Sequence, residues 1–233
     1  MNLLITGANR GLGLHTTALA LANGHRVAAG ARQSQLESSG LRQLAERYPD
    51  QLLVVALDVK SEESVQAAAD KVRGQFGHVD AIMNNAAILL GREKKLEQVS
   101  MAEMEESFQV NLYGPICVVK HFLPLMTDDG EKVIINISSE SGSFTNAYGG
   151  DYPYALSKGA LNLFSEHVRR YVSGRGIRVY AVHPGWIRTD MGGDKAPGDP
   201  EESAQGILAL IEGKNKAEGA GVFIDFRGEP MAN

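Results

Sequence analysis

Tyr154 and Lys158 stand four residues apart in the run Tyr154-Ala155-Leu156-Ser157-Lys158. On a helix that spacing puts a phenol and an ammonium on one face, one turn apart. A free phenol titrates near pH ~10 and is a poor acid or base at neutrality. A neighbouring ammonium stabilises the phenolate, and moving the pKa toward neutrality takes ~3–4 kcal/mol of differential stabilisation. One or two positive charges in a semi-buried site supply that much, so the pair is equipped for general acid–base work. Alone, a Tyr-x-x-x-Lys pair is a frequent surface coincidence. Ser139 adds to it, because it closes the apolar run Ile134-Ile135-Asn136-Ile137-Ser138. A hydroxyl there can hold a carbonyl oxygen for protonation. Ser139 is preferred over Ser138 and Ser141.

A second group of residues suits phosphate. Leu3-Leu4-Ile5 runs directly into Thr6-Gly7-Ala8-Asn9-Arg10-Gly11-Leu12-Gly13, and a helical pattern follows. Gly7 permits a sharp exit from a strand, Gly11 clears space for a pyrophosphate, and Gly13 lets the helix approach the sheet. The free N–H groups and dipole of the helix start then favour an anion. The strand, turn and helix context this motif requires is present, so a dinucleotide is expected. A cofactor without a 2′-phosphate usually meets a carboxylate after the second strand, but here the chain reads Ala29-Gly30-Ala31-Arg32, with no acid before Glu37. Arg32 and Arg10 can pair with a 2′-phosphate, which favours NADP(H), or can be ordinary surface arginines. Asp58, after Val55-Ala56-Leu57, is placed to accept from an adenine amino group.

These residues need elements to carry them. Short apolar runs at 2–6, 26–30, 52–57, 81–84, 132–138, 178–183 and 222–225 read as strands. Amphipathic stretches at 12–22, 35–47, 61–76, 101–126, 153–173 and 201–212 read as helices. Strands with few polar positions are buried on both faces. The alternation therefore predicts an α/β chain with a doubly wound, seven-stranded parallel sheet, helices on both faces, and a single domain over residues 1–233. Ligands gather at the carboxyl ends of such strands, where Ser139 falls.

Composition bounds the function. The chain has 233 residues, 43% hydrophobic and 22% charged, with a net charge of -5. No basic footprint for nucleic acid or an acidic membrane is present, and no apolar stretch is long enough for a membrane span. Cys117, the one cysteine, excludes an internal disulfide and favours a cytoplasmic setting. Its apolar surroundings predict a buried core thiol. The six histidines do not pair at i, i+4, so no metal site is expected.

Taken in order along the chain, Thr6-Gly7-x-x-x-Gly11-x-Gly13, Asp58, Asn84-Asn85-Ala86, Asn111, Ser139, Tyr154-x-x-x-Lys158 and Pro184-Gly185 leading to Thr189 resemble the short-chain dehydrogenase/reductase family. The resemblance covers nearly the whole chain and implies a Rossmann fold and an NADP-dependent oxidoreductase. It implies that Tyr154 is the acid/base, that Ser139 orients the carbonyl, and that Lys158 binds the nicotinamide ribose and lowers the tyrosine pKa. Asn111 would hold a water relaying protons through Lys158. Asn9, Leu12, Val59, Asn85, Ala86, Pro184, Gly185, Ile187 and Thr189 would contact the cofactor. Ala87 departs from the glycine usual after Asn-Asn-Ala. Ala31-Arg32, the run from His183 to Gly193 and Gly221-Val222-Phe223-Ile224-Asp225 resemble the carbonyl-reductase-related branch, with C-factor and sniffer-like proteins.

That branch implies a small aldehyde or ketone substrate, or the corresponding alcohol, and a homodimer or homotetramer. A C-factor-like regulatory or signalling role is the alternative. Phe144, Tyr148, Trp186 and Met191 are wall candidates for an open substrate site, each equally suited to core or loop packing.

Overall fold

Strands and helices alternate from the second residue: the apolar runs at Asn2–Thr6, Ala81–Asn84 and Lys132–Ile137 are buried along their whole length, while Leu52–Ala56 at the sheet edge is only partly covered. The computed structural model describes residues 1–32, 38–127, 129–215, 217 and 221–233. In chain order the elements are β1 (Asn2–Thr6), α1 (Gly11–Ala22), β2 (Arg26–Ala31), α2 (Ser39–Arg47), β3 (Leu52–Ala56), α3 (Glu62–Phe76) and β4 (Ala81–Asn84). Then come α4 (Met101–Phe108), α5 (Gly114–Phe122), β5 (Lys132–Ile137), α6 (Tyr152–Tyr171), β6 (Ile177–His183), α7 (Pro200–Ile211) and β7 (Phe223–Asp225). The strands form one seven-stranded sheet in the order β3-β2-β1-β4-β5-β6-β7, and every pairing is parallel. The predicted doubly wound Rossmann architecture is therefore what the chain adopts.

Period-two alternation divides the core between two layers. Leu4, Ala28, Ile82 and Ile134 pack under α3, α5 and α6, with Val65, Val72, Val118, Phe122 and Val168. Their strand neighbours Leu3, Ile5, Val27, Met83 and Ile135 pack under α1, α2 and α7, with Leu21, Leu41, Ile207 and Ile211. Each fully buried Leu, Ile or Val contributes roughly 1.5–3 kcal/mol relative to exposure. β1 lies between β2 and β4, so the connections leave it in opposite directions and open a crevice at the carboxyl ends.

Most predicted boundaries shift by one or two residues, and three differences bear on the architecture. The helix expected over 35–47 runs from Ser39, and residues 35–37 lie outside the described residues. The last strand is reduced to Phe223–Asp225. The long helix expected over 101–126 is interrupted by a π-helical turn at Gln109–Tyr113 and ends in a 3₁₀ turn at Leu123–Leu125. Pro115, at the start of α5, explains the interruption. It has no N–H to give the carbonyl four residues back, that of Asn111. The coil widens there, and the Gly114 N–H reaches back five residues to the Gln109 carbonyl.

Candidate active site

At the carboxyl end of β1 the backbone turns with Gly7 at φ +66° and Gly11 at φ +52°, both left-handed. A Cβ on Gly13 would lie 2.4 Å from the Gly7 carbonyl oxygen, so α1 packs on the turn as only glycine allows. Thr6 and Asn85 lock the β4 loop against it. The Thr6 hydroxyl accepts from the Asn85 and Ala86 N–H groups at 3.0 and 3.1 Å, and Asn85 Nδ2 donates to the Thr6 and Gly7 carbonyls at 3.0 and 3.1 Å. α1 begins with no side-chain cap and no acidic residue in its first turn. By contrast, α3, α4 and α7 are capped by Ser61, Ser100 and Asp199. The leading amides of α1 thus present a partly positive end to the cleft that Gly11 and Leu12 line.

The charges at this end are exposed. Arg10 Nη1 donates to Asp190 at 2.8 Å, an ion pair across the mouth that the sequence did not suggest. Arg32 lines the cleft beyond Ala31. The Asp58 carboxylate accepts from the Lys60 N–H at 3.0 Å and lies along the same wall.

The other end is built from side chains on α6 and the end of β5. Tyr154 falls in the first turn of α6, and Lys158 one turn later is only 2% exposed. Lys158 Nζ lies 5.5 Å from the Tyr154 ring centroid and donates to the Ile137 carbonyl at 2.7 Å. A polar ladder fixes α6 to the sheet. Asn84 donates to Asn136 and Asn136 to Ser165, each at 2.8 Å, while the Ser138 hydroxyl donates to Asn162 at 2.5 Å. Ser138 is therefore spent on packing. The Ser139 hydroxyl accepts from the Ser141 N–H at 3.2 Å and stands close enough to Tyr154 to favour its phenolate.

Burial dominates the titration of both catalytic candidates. It pushes the Tyr154 phenol up to about 12, against the lowering effect of the Ser139 hydrogen bond. It pushes the Lys158 ammonium down to about 7. The ligand-free site thus holds Tyr154 protonated at neutrality. Desolvation is the largest influence on the phenol in the ligand-free site; the acidification expected from the sequence belongs to Lys158 acting together with a bound oxidised nicotinamide.

One cleft of about 1100 Å³ gathers Gly7, Asn9, Arg10, Gly11, Leu12, Arg32, Asp58, Val59, Asn85, Ala86, Ser139, Tyr154, Lys158, Pro184, Gly185, Ile187 and Thr189. Gly13 and Asn111 lie outside its lining. Gly13 packs on the turn beneath. Asn111 is fully buried in the π-helical turn, and its amide is taken up by the Ile88 N–H and carbonyl at 2.9 Å and the Ser157 hydroxyl at 3.0 Å. With both amide hydrogens so used, its side chain positions the Ile88 loop against α6 and has no donor left for a relaying water. Tyr148, Trp186 and Met191 line the cleft, whereas Phe144 is 90% exposed and does not. His183, which opens the run to Gly193, also lines it, as do Arg92 and Glu140, which no motif picked out. Arg92 reaches over from the β4 loop to donate to the Met191 carbonyl at 3.0 Å, a contact no local sequence signal announces.

The sequence model of the short chain dehydrogenase family matches residues 1–199. C-signal of Myxococcus xanthus is 35% identical over 153 residues, 65% of this chain and 91% of its own. A carbonyl reductase from chicken fatty liver, solved with NADPH bound, superposes with a TM-score of 0.88 at 31% identity, covering 100% of this chain and 98% of that chain. The carbonyl reductase Sniffer of D. melanogaster superposes with a TM-score of 0.89 at 28% identity, over 100% and 99% of the two chains.

Proposed function

The chain belongs to the short chain dehydrogenase family, and from that premise we propose that it is an NADPH-dependent carbonyl reductase acting on small aldehydes and ketones. One observation carries this function. Tyr154 and Ser139 line the same cleft into which the uncapped start of α1 opens. NADP(H) fits the residues present. The orphan amides of α1 suit its pyrophosphate, and Asp58 suits its adenine. Arg32 and Arg10 suit a 2′-phosphate, with no acid at Ala31 or Arg32 to favour a bare ribose. The NADPH-bound chicken relative supports the same choice.

When bound, the dinucleotide supplies a hydride to the carbonyl carbon. The protein's own residues do the rest. Ser139 donates to the carbonyl oxygen and orients it beside Tyr154. The phenol gives its proton to that oxygen as negative charge develops there. Burial holds the phenol protonated beforehand, the state a proton donor needs. Lys158 holds the nicotinamide ribose and, with an ammonium that titrates near neutrality, supports reprotonation of the phenolate from solvent. Asn111 fixes the helix that carries it. Tyr148 and Trp186 are half-exposed at the mouth, which suits small or varied substrates over one enclosed ligand.

The test is NADPH oxidation across a panel of aldehydes and ketones, beside direct titration with NADPH and NADH. Reduction with NADPH preference is the expected result; NADPH binding with no turnover on any carbonyl would favour a regulatory protein. The resemblance to C-signal supports that second reading, a dinucleotide-dependent signalling role.

Two further properties belong to the same proposal. Leu156, Leu163 and Tyr171 on α6, with Tyr113 and Ile116 before and within α5, are exposed apolar residues and support a homodimer or homotetramer. Sedimentation should give a multiple of the 25.1 kDa chain mass, and Leu163→Arg should reduce it. Among the described residues no helix is long and apolar enough to cross a membrane, and with a single cysteine the proposed location is the cytoplasm.

A further inference from the structure

On the outer face of the molecule α3 and α5 pack side by side and bring three unlike donor atoms to one point. Cys117 and His121 are four apart on α5, so thiol and imidazole project the same way. Glu62, the first residue of α3, reaches across to them. His121 Nε2 lies 2.9 Å from Glu62 Oε1, and donor atoms of Glu62, Cys117 and His121 all lie within 4.8 Å of one another. Among the described residues this is the grouping of its kind. Cys117 is half-buried and not the sealed core thiol its sequence neighbours suggest. It borders a surface hollow of about 280 Å³ with Val59, Gln109, Tyr113 and Ile116.

We propose that Glu62, Cys117 and His121 form a Zn²⁺ site separate from the oxidoreductase cleft. The donor set decides the metal. Ca²⁺ and Mg²⁺ require oxygen ligands, whereas thiolate, imidazole and carboxylate together suit zinc. Tetrahedral zinc with bonds of about 2.0–2.3 Å needs donors roughly 3–4 Å apart, a side-chain adjustment of about an ångström from the arrangement seen. The hollow beside Glu62 and Cys117 leaves the fourth position to water. A cation already stands at this point: Lys120 Nζ is 2.5 Å from Glu62 Oε1, on an exposed side chain free to swing away. On binding, Lys120 leaves Glu62, the Cys117 thiol releases its proton to solvent, and a sulfur–zinc bond forms. A search for paired histidines passes over this site, because its helical pair is a cysteine and a histidine.

Cobalt(II) is the probe, since thiolate-to-cobalt absorption reports sulfur ligation and Cys117 is the sole thiol. Titration of the reduced, full-length protein should give that absorption at one equivalent, and Zn²⁺ should abolish it. Cys117→Ser should remove it, while His121→Ala and Glu62→Gln should each weaken binding at least about 10-fold. Lys120→Met should tighten binding, because it removes the competing ammonium. In the unmodified protein, Zn²⁺ should slow labelling of Cys117 by a thiol reagent. No thiolate absorption at millimolar cobalt, or labelling unaffected by Zn²⁺, would overturn the site. So would binding that His121→Ala and Glu62→Gln leave unchanged. NADPH turnover, read separately, bears on the cleft alone.

Discussion

The two ends of the cleft are made of different material. The glycine end is almost all backbone: left-handed Gly7 and Gly11, the tight approach of Gly13, and the leading amides of α1. Its charged groups, Arg10 and Asp190, are exposed and paired directly with each other at the mouth. The α6 end is almost all side chain, with Lys158 sealed from solvent and Tyr154 shifted strongly by burial. Fixed dipoles keep their sign at every pH, so the first end is suited to holding a permanent anion. Buried titratable groups change charge when their surroundings do, so the second is suited to moving protons.

Tyr154→Phe breaks the contrast most directly. It removes the proton donor and nothing from the glycine end. kcat for carbonyl reduction should fall by about 10²–10⁴-fold with NADPH affinity nearly unchanged, as stopped-flow kinetics and fluorescence titration would read. Loss of NADPH binding instead would contradict the separation of the two ends.

A smaller effect is expected from the opposite side. Arg32→Glu should lower affinity for NADPH relative to NADH by about 10–100-fold, the worth of one charge-assisted contact. kcat with saturating NADH should stay put. Equal losses for both dinucleotides would remove Arg32 from the 2′-phosphate.

Gly13→Ala tests the backbone itself, since the added methyl would meet the Gly7 carbonyl oxygen at 2.4 Å. Overpacking of this kind costs roughly 1–3 kcal/mol, and thermal melts should register it. Dinucleotide affinity should drop with it, because the turn and the helix start cannot move apart independently.

A pH-dependent effect sharpens the proton-moving end. Lys158 has a folded-state pKa depressed to about 7, below its unfolded value near ~10.4. The unfolded chain therefore binds the extra proton between those two values, and stability must rise with pH across that window. Tyr154 has the opposite sense: its raised pKa favours the folded state up to the unfolded value near ~10 and loses ground above it. Melting temperatures of the ligand-free protein should climb from about pH 7 to pH 10, and Lys158→Met should flatten that climb. An unchanged climb in the variant would show that another group sets it.

Much of the architecture was legible because period-two burial and glycine spacing are local signals. Leu3, Leu4 and Ile5 announce a strand buried on both faces, and Gly7, Gly11 and Gly13 announce the turn after it. The choice of Ser139 over Ser138 was legible only as a position at a strand end. The structure adds that Ser138 is tied to Asn162. What was not legible depends on distant partners. Arg10 meets Asp190, and Arg92 meets Met191, through contacts spanning 180 and 99 residues. Pro115 was visible in the sequence, yet amphipathic periodicity continues through it, so the widened turn at 109–113 was read as plain helix. Phe144, a wall candidate equally suited to loop packing, faces away from the cleft, because residue type does not tell which way a loop faces.

The unfinished first turn of α1 has a consequence for order in the protein as a whole. Where α3, α4 and α7 close their starts with a serine or an aspartate, this one leaves the task to a visitor. Occupancy and local rigidity are then a single event, and the amides of residues 11–13 should exchange with deuterium quickly in the empty protein and slowly once a pyrophosphate has docked.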